Sequence, residues 1–289
     1  MEKILVPIDF SPTSIKALMY AAAIAIKTGA ILRLLNVIEP PPISYSDLPL
    51  PDSAITDRLV TENFGRIEDL KKLLLKDEPD LKILCNVLEG EVTTTINGFV
   101  KEQGCDLVVM GTHGASGFKG LIWGSLTAKT LMHSPVPVIA VPGEYQLSDP
   151  HKILLATNRF EESTRLLDPI FEFSNLFNAA VDVVVFIDKN TAHGYEYLEA
   201  GKNLNRYRSF LHKRYPGTVI NSELIDGSDF ESAMVLYEGR QEIDLIAMIT
   251  YPKSFFERLT RKTTTKIVTM HSRIPVLAIP ASSVVGVKA

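Results

Sequence analysis

Three glycines and a serine in the first half of the chain have a spacing that suits a phosphate-binding loop. The pattern is Gly-x-x-Gly-x(9)-Gly-Ser, formed by Gly111, Gly114, Gly124 and Ser125. Glycine carries no Cβ and adopts positive φ at little cost, so a phosphate can approach main-chain N–H groups closely. Ser125 precedes a helical segment, and a helix N-terminus offers unsatisfied N–H donors and a favourable dipole. The pattern therefore predicts a pocket that binds phosphate groups.

The loop differs from two familiar glycine-rich nucleotide motifs. It lacks Gly-x(4)-Gly-Lys-Ser/Thr, so it is not a Walker-type P-loop. The run Gly114-x-x-Gly117-x-x-Gly120 follows a late strand and has the wrong spacing for a dinucleotide fingerprint. Plainer interpretations stay open for each part of the pattern. The first two glycines can form a tight turn without a ligand, and the Gly-Ser pair can simply cap a helix.

The elements around this loop alternate between strand and helix. Predicted strands cover residues 3–8, 31–38, 81–88, 107–110 and 136–141, and predicted helices cover 13–28, 53–76, 92–103 and 125–133. Ser11 and Pro12 predict the start of the first helix, and Gly29 predicts its end. This alternation predicts a mostly parallel sheet with right-handed crossovers. Because ligands bind beyond the carboxyl ends of such strands, Asp9 and Gly111 are expected at one ligand-binding edge.

The whole alternating pattern occurs twice in the chain. Residues 3–9 match residues 152–158 at an offset of 149, and residues 108–142 match residues 246–280 at an offset of 138. The second copy is shorter, and the extra residues of the first copy are assigned to a proline-rich loop over 40–51. The repeat predicts two α/β domains, at 1–143 and 150–289, joined by a polar linker over 144–149.

Further sequence runs accompany the glycine pattern and carry a family resemblance. They are Ile-Leu-Val-Pro-Ile-Asp at 4–9, Leu-Leu-Asn-Val at 34–37 and Pro-Val-Ile-Ala-Val-Pro at 137–142. With these runs the chain resembles the universal stress protein family in its tandem-domain form. The resemblance implies a Rossmann-like parallel sheet of strand order 3-2-1-4-5 in each domain. It also implies that domains with the intact glycine pattern bind ATP.

The resemblance implies an ATP site in the first domain. Asp9 would face the ribose or adenine, Val37 would meet adenine through its backbone, and the glycines with Ser125 would hold the phosphates. The complete implied set is Pro7, Asp9, Val37, Met110, Gly111, Thr112, His113, Gly114, Ser116, Gly124, Ser125 and Leu126. Mg²⁺ would bind through the phosphates, because the sequence shows no protein cage for it. For Asp9, a local turn or helix cap is the alternative role.

One residue of the second strand departs from the family pattern. Asn36 stands where the family usually has histidine. The departure leaves the implied pocket intact, because the other implied positions keep the residues that the pattern requires.

The second copy has lost the residues of this pattern. Asp9 is replaced by Asn158, and the four loop positions hold Ile249, Pro252, Lys262 and Thr263. Proline removes an N–H donor, and isoleucine is ill-suited to positive φ. We therefore predict that the second domain binds no ATP. A nearby basic cluster, formed by Arg258, Arg261, Lys262 and Lys266, can bind another anion or form a solvated helix face.

Composition limits the remaining classes of function. The formal net charge is −4, which argues against bulk binding to nucleic acid or anionic lipid. No secretory signal and no membrane-length apolar run are visible, so a cytoplasmic protein is expected. Cys85 and Cys105 have no metal-ligand or redox spacing. They are expected to be buried thiols, with a disulfide between them as the alternative.

Catalytic signatures are missing from the sequence. No nucleophile triad or carboxylate pair is evident, and His113 is interpreted as a loop histidine rather than a base. At most slow ATP hydrolysis is expected, and an ATP-pyrophosphatase is disfavoured by the sequence after the first strand.

Two functional hypotheses remain for the chain as a whole. The first is a stress-response regulator whose ATP site controls binding to an unknown protein partner. The second is an interaction scaffold in which the glycine loop is only architectural. The resemblance also implies a pseudo-twofold pair of domains through the last strands, residues 136–141 and 274–279, and a further homodimer is open.

Overall fold

The computed structural model describes residues 1–39, 52–112, 125–251 and 273–281. His113, Gly114, Ser116, Gly124, Pro252, the proline-rich loop and the basic cluster lie outside these residues. The chain divides into two compact units, with the division between Gly143 and Glu144. We refer to the part before this division as unit 1 and to the part after it as unit 2.

Unit 1 is a parallel sheet with helices between successive strands. Its strands are β1 (Lys3–Pro7), β2 (Ile31–Ile38), β3 (Ile83–Glu89), β4 (Leu107–Gly111) and β5 (Val138–Val141). Its helices are α1 (Pro12–Thr28), α2 (Asp52–Asp77), α3 (Val92–Gln103) and α4 (Ser125–His133). The strand order is β3-β2-β1-β4-β5, with parallel pairing throughout. This arrangement confirms the predicted fold class and strand order.

Local signals in the sequence set the ends of α1 as predicted. The Ser11 side chain caps the helix by accepting a hydrogen bond from the Ser14 N–H, and a proline follows in the first turn. At the other end Gly29 adopts φ 71°, a left-handed conformation that glycine reaches without a steric penalty. Between these caps the buried face is built from residues such as Leu18 and Ile24. That face packs on the sheet and fixes the helix beside β1 and β4.

Unit 2 repeats this architecture. Its strands are β6 (Lys152–Ala156), β7 (Ala180–Asp188), β8 (Ile220–Gly227), β9 (Leu245–Thr250) and β10 (Val276–Pro280). Its described helices are α5 (Thr164–Phe177), α6 (Gly194–Arg214) and α7 (Phe230–Gln241). The strands pair in parallel in the order β8-β7-β6-β9-β10. This is the strand order of unit 1, as the sequence repeat predicts.

An aspartate anchors the first strand of each unit in the same way. The Asp106 carboxylate accepts hydrogen bonds from the N–H groups of Glu2 and Lys3 at 2.6 and 2.9 Å. The Asp244 carboxylate accepts from His151 and Lys152 at 2.8 and 3.0 Å. These bonds satisfy main-chain donors that precede a strand and would otherwise lack a partner. The two units therefore share side-chain details as well as topology.

The two cysteines are both free thiols. Cys105 is buried, as expected, but Cys85 is only partly buried because it lies on β3 at the end of the described strand order. Burial is the main cause that raises the pKa of the Cys85 thiol to about 12, and a hydrogen bond with Glu68 adds to it.

In the part of the chain that the structure describes, no helix combines the length and apolarity needed to cross a bilayer.

Candidate functional site

A cavity of about 110 Å³ lies at the carboxyl ends of β1, β2 and β4 in unit 1. Six residues of the predicted site line it: Pro7, Asp9, Val37, Met110, Gly111 and Leu126. The sheet brings these residues together from four separate parts of the sequence. Thr112 follows β4 directly, and Ser125 is the first residue of α4. The other predicted site residues lie beyond the described ranges.

The walls of this cavity are mostly apolar. The described lining includes the apolar residues Leu35, Val37, Val92, Ile96 and Met110 and the polar residues Asp9, Ser14 and Thr127. Ligand pockets usually combine apolar walls with a few polar groups, at volumes of roughly 300–1,000 Å³. The volume here is smaller, and the described lining has the same combination of apolar and polar residues.

Asp9 holds the turn between β1 and α1 as well as lining the cavity. One of its carboxylate oxygens, Oδ1, accepts hydrogen bonds from the Ser11 N–H at 3.0 Å and from the Ser11 hydroxyl at 2.6 Å. The Ser11 hydroxyl also lies 3.0 Å from that of Thr13. The local turn role and the ligand-facing role are thus compatible for this residue. Asp9 is exposed and lines the cavity.

Gly111 is required by packing rather than by its own φ angle. A Cβ at this position would lie 2.8 Å from the carbonyl carbon and oxygen of Thr13, closer than real Cβ contacts. Gly111 is the last residue of β4 and does not have a positive φ. The expectation that the pattern needs glycine for positive φ is therefore wrong at this position. Its absent side chain lets the first turn of α1 approach the strand end.

The start of α4 lies beside the cavity. Its second and third residues, Leu126 and Thr127, line the cavity, and the Thr127 hydroxyl donates a hydrogen bond to the Gly111 carbonyl at 2.9 Å. The first N–H groups of this nine-residue helix are therefore near the cavity, where they favour an anion. Thr112 is 1% exposed and donates its N–H to the Val141 carbonyl at 3.1 Å. That N–H extends the β4–β5 ladder and is not offered to a ligand.

Sequence reasoning missed the contribution of α3. Val92 and Ile96 lie four residues apart on this helix, and both line the cavity. Their spacing marks them as one helix face, but the spacing alone does not show which strand ends that face meets. The contact depends on the crossover from β3 to β4, which carries α3 across the sheet. Leu35 on β2, Ser14 on α1 and Thr127 on α4 also line the cavity and were not predicted.

Unit 2 carries two phenylalanines at positions that line the cavity in unit 1. By the repeat offsets, Val37 corresponds to Phe186 and Val92 to Phe230. The two rings pack edge to face, with centroids 5.4 Å apart. Phenylalanine is much larger than valine, so these side chains occupy space that the valines leave open. The two units therefore differ at these apolar positions as well as at the glycine positions.

A polar cluster ties together the strand-end loops of unit 2. The Tyr251 hydroxyl donates to the Glu161 carboxylate at 2.5 Å, and the Tyr207 hydroxyl donates to the Glu161 carbonyl at 2.8 Å. The Arg159 guanidinium stacks over the Tyr251 ring at 4.3 Å. Burial, together with the Glu161 charge, raises the pKa of both tyrosines. These contacts join the segments that follow β6 and β9, whose counterparts in unit 1 border the cavity.

The repeat also explains how unit 2 accommodates Ile249 at the position of Gly111. Helix α1 begins at Pro12, whose counterpart is Glu161, but α5 begins only at Thr164. The helix start has therefore moved three residues along the chain. We infer that the later helix start leaves room for the side chain of Ile249, which is half-buried in β9.

Comparison with known proteins gives the same family for unit 1. The universal stress protein family model matches residues 1–142. A universal stress protein of Methanocaldococcus jannaschii is 30% identical over 142 residues, which are 48% of this chain and 81% of that protein. A second one from the same organism is 26% identical over 154 residues, covering 48% of this chain and 94% of that protein.

A solved structure extends the similarity of fold to the whole chain. A universal stress protein from Archaeoglobus fulgidus superposes with a TM-score of 0.70 at 18% identity. The match covers 96% of this chain and 98% of that one, so the similarity of fold includes both units. With the sequence matches to unit 1, the conclusion is that the chain belongs to the universal stress protein family.

Proposed function

We propose that unit 1 binds ATP, or a related adenine nucleotide, and that the protein is a nucleotide-responsive regulator of a cytoplasmic stress response. The observation that carries the proposal is the cavity at the carboxyl ends of β1, β2 and β4. Its apolar walls would suit adenine, Asp9 would accept a hydrogen bond from a ribose hydroxyl, and the start of α4 would favour phosphate. Nucleotide binding would change the loops at this edge and hence the surface offered to a protein partner.

The site is proposed to bind its ligand without efficient chemistry. Among the described residues there is no group of three or more histidine, cysteine or carboxylate side chains that could hold a metal ion. A Mg²⁺ ion is therefore proposed to bind through the phosphates rather than through a protein cage. At most slow hydrolysis of ATP is expected, because the one carboxylate among the described residues of the cavity, Asp9, is proposed to bind the ribose rather than to act as a general base.

Unit 2 is proposed to bind no nucleotide. Phe186 and Phe230 replace the valines of the cavity, and Asn158 replaces Asp9. The side chains of Glu161 and Tyr251 are bonded to each other at the equivalent edge. The expected stoichiometry is therefore one ATP per chain. Unit 2 would serve as a structural or regulatory partner of unit 1.

The test copies the unit 2 residues into unit 1. The double variant Val37→Phe, Val92→Phe should fill the cavity and reduce ATP binding below detection, whereas wild-type protein should bind one ATP. Both positions tolerate phenylalanine in the homologous unit, so the fold should be retained. Isothermal titration calorimetry measures affinity and stoichiometry, and circular dichroism checks folding.

The matched control makes the same change at two exposed valines of unit 2. Val219 and Val235 are 66% and 57% exposed, so Val219→Phe, Val235→Phe should leave ATP binding unchanged. Absence of ATP binding by the wild-type chain would contradict the proposal and favour the scaffold hypothesis. Unchanged affinity in the Val37→Phe, Val92→Phe variant would show that the cavity is not the binding site.

A further inference from the structure

We propose that Arg66 on α2 is a positioning residue for the nucleotide site, because it holds the turn that carries Asp9. It does so by two routes, a stacking contact with Phe10 and a chain of side-chain amides that ends on the Ile8 carbonyl. Residues on both sides of Asp9 are thereby fixed from the same helix. The proposal rests on the proposed function of unit 1 and adds a residue outside the cavity lining.

Phe10 has a backbone conformation that requires support. Its φ is 63°, in the left-handed region, which is a genuine outlier for a bulky residue. Among the described residues, three other non-glycine residues share this sign of φ: Asn178 and Glu242 are helix C-caps, and Phe160 follows the first strand of unit 2 as Phe10 follows that of unit 1. Phe10 follows a strand and has no capping role. Such strained residues persist only where their surroundings hold them, and they cluster at ligand sites.

The Arg66 side chain provides that support directly. Its guanidinium carbon lies 3.7 Å from the centroid of the Phe10 ring. A planar guanidinium stacks on an aromatic face through both charge and contact area, which a lysine ammonium does not reproduce. Arg66 belongs to α2, more than fifty positions along the chain from Phe10. The contact therefore fixes the turn against an element that does not otherwise form part of it.

The second route reaches the residue before Asp9. Arg66 Nη1 lies 3.4 Å from the Asn63 side-chain oxygen, and the Asn63 amide donates to Asn36 Oδ1 at 3.0 Å. The Asn36 amide in turn donates to the Ile8 carbonyl at 2.8 Å. Asn36 is 6% exposed, so this last bond is shielded from water and holds a buried carbonyl. Ile8 and Phe10 are thus both held, with Asp9 between them.

Unit 2 lacks this arrangement. The position of Phe10 holds Arg159, whose guanidinium stacks on Tyr251. Asn36 corresponds to Val185, which offers no side-chain amide. The Arg66 contacts therefore occur in the unit that has the open cavity and are replaced in the unit whose cavity residues are phenylalanines. A left-handed phenylalanine recurs in this turn of unit 2 at Phe160, so the units differ in the contacts of Arg66 and Asn36 and not in the left-handed conformation itself.

The experiment compares Arg66→Ala and Arg66→Lys with Arg58→Ala, a matched control at an exposed arginine of the same helix. Loss of the stacking contact should weaken binding about fivefold, from the typical strength of a cation–π contact. Arg66→Lys should recover only part of this loss, and Arg58→Ala should bind like wild type. Isothermal titration calorimetry with ATP and with adenosine measures each affinity.

Adenosine separates positioning from attraction between charges. Adenosine has no phosphate. If Arg66 acts only through its charge, Arg66→Ala should weaken ATP binding and leave adenosine binding unchanged, and this result would overturn the proposal. If Arg66 positions Asp9, Arg66→Ala should weaken the binding of ATP and of adenosine by a similar factor. A merely structural role would lower the melting temperature of the free protein without changing affinity, and this result would also overturn it.

A second variant tests the route through Phe10. A glycine at position 10 adopts the left-handed conformation without strain. Arg66→Ala should therefore reduce the affinity for ATP less in the Phe10→Gly background than in the wild-type background. Equal effects in both backgrounds would contradict the stacking route. If wild-type protein binds ATP but Arg66→Ala binds equally well, this inference fails and the proposed function stands. If wild-type protein does not bind, the proposed function fails and the inference fails with it.

Discussion

Gly111 shows how a single residue can belong to a ligand-binding pattern and still be fixed by packing. It lines the cavity, and a Cβ at this position would collide with the backbone of Thr13 at the start of α1. The sequence pattern predicts a glycine for access to phosphate, and the structure adds a steric reason within the protein. Substitutions at this position therefore change the fold and the site together, which makes them poor probes of phosphate binding.

Gly111→Ala is expected to destabilise unit 1. The new Cβ would lie 2.8 Å from main-chain atoms of Thr13, and overpacking of this kind typically costs about 1–3 kcal/mol. Gly98 provides the control, because it lies in α3 with open space where a Cβ would be. Gly98→Ala should stabilise the unit by about 0.5–1 kcal/mol through helix propensity. Scanning calorimetry measures the melting temperature of both variants. Equal changes in melting temperature for Gly111→Ala and Gly98→Ala would contradict the packing argument.

Single residues also explain what the sequence could not reveal about the site. Asp9, Val37 and Gly111 were identified because they match a family pattern at the ends of strands. Arg66 could not be identified, because its partner Phe10 is distant in sequence and the strain of that residue is a property of the folded backbone. Contacts of this kind become visible only when the helix and the turn are placed together.

Among the elements, α3 links local sequence signals to the site. Its N-cap is Glu91, whose carboxylate accepts a hydrogen bond from the Thr94 N–H at 2.7 Å. The next residue, Val92, lines the cavity. The cap therefore orders the turn that supplies one apolar wall. Hydrogen bonding with Thr94 is the main cause that lowers the pKa of the Glu91 carboxyl to about 2.

Glu91→Ala is expected to lower the melting temperature of unit 1 and to weaken ATP binding. Because the pKa of Glu91 is lower in the folded state, its stabilising effect is present above the ordinary value of 4.5 and is lost as pH falls through about 2. The difference in melting temperature between wild type and variant should therefore be largest above pH 4.5 and shrink towards pH 2. Calorimetry across this range measures it.

Asp229 gives the matched control for this cap. Its carboxylate accepts from the Ser232 N–H at 2.8 Å and begins α7, the counterpart of α3 in unit 2. Asp229→Ala should lower the stability of unit 2 and leave ATP affinity unchanged. Loss of ATP binding in Asp229→Ala would contradict the role given to the α3 cap. So would a difference in melting temperature between wild type and Glu91→Ala that does not change with pH.

Most elements could be predicted from the sequence because their signals are local. The caps of α1 and the apolar runs of the strands lie within a few residues of the boundaries that they set. The strand order came from resemblance to a family and not from those signals. The contribution of α3 to the cavity could not be predicted, because it depends on a crossover between distant strands.

At the scale of the whole molecule, the two units share one fold and differ at the carboxyl ends of their strands. Asp106 and Asp244 anchor the first strands of the two units alike. At the opposite ends of those strands the units differ, with valines around a cavity in one and phenylalanines in contact in the other. Pairing of the units through their last strands stays a prediction.

This asymmetry predicts that ATP protects one unit and not the other from hydrogen exchange in the full chain. ATP at about 100 times its dissociation constant should stabilise unit 1 by about 2.7 kcal/mol. Amides of unit 1 that exchange only when the unit unfolds should then exchange about 100-fold more slowly. Protection should be strong in segments that contain Asp9, Val37 and Leu126, because these residues line the cavity.

Mass spectrometry of the exchanged peptides measures both units in one experiment. The segment around Phe186 in unit 2 should exchange equally with and without ATP, because no site is expected there. In the Val37→Phe, Val92→Phe variant, ATP should protect neither unit, which separates specific binding from general effects of added nucleotide. Equal protection of both units in the wild-type chain would mean that they unfold as one cooperative body or that unit 2 also binds. Titration calorimetry separates these two cases, because only a second site raises the stoichiometry to two.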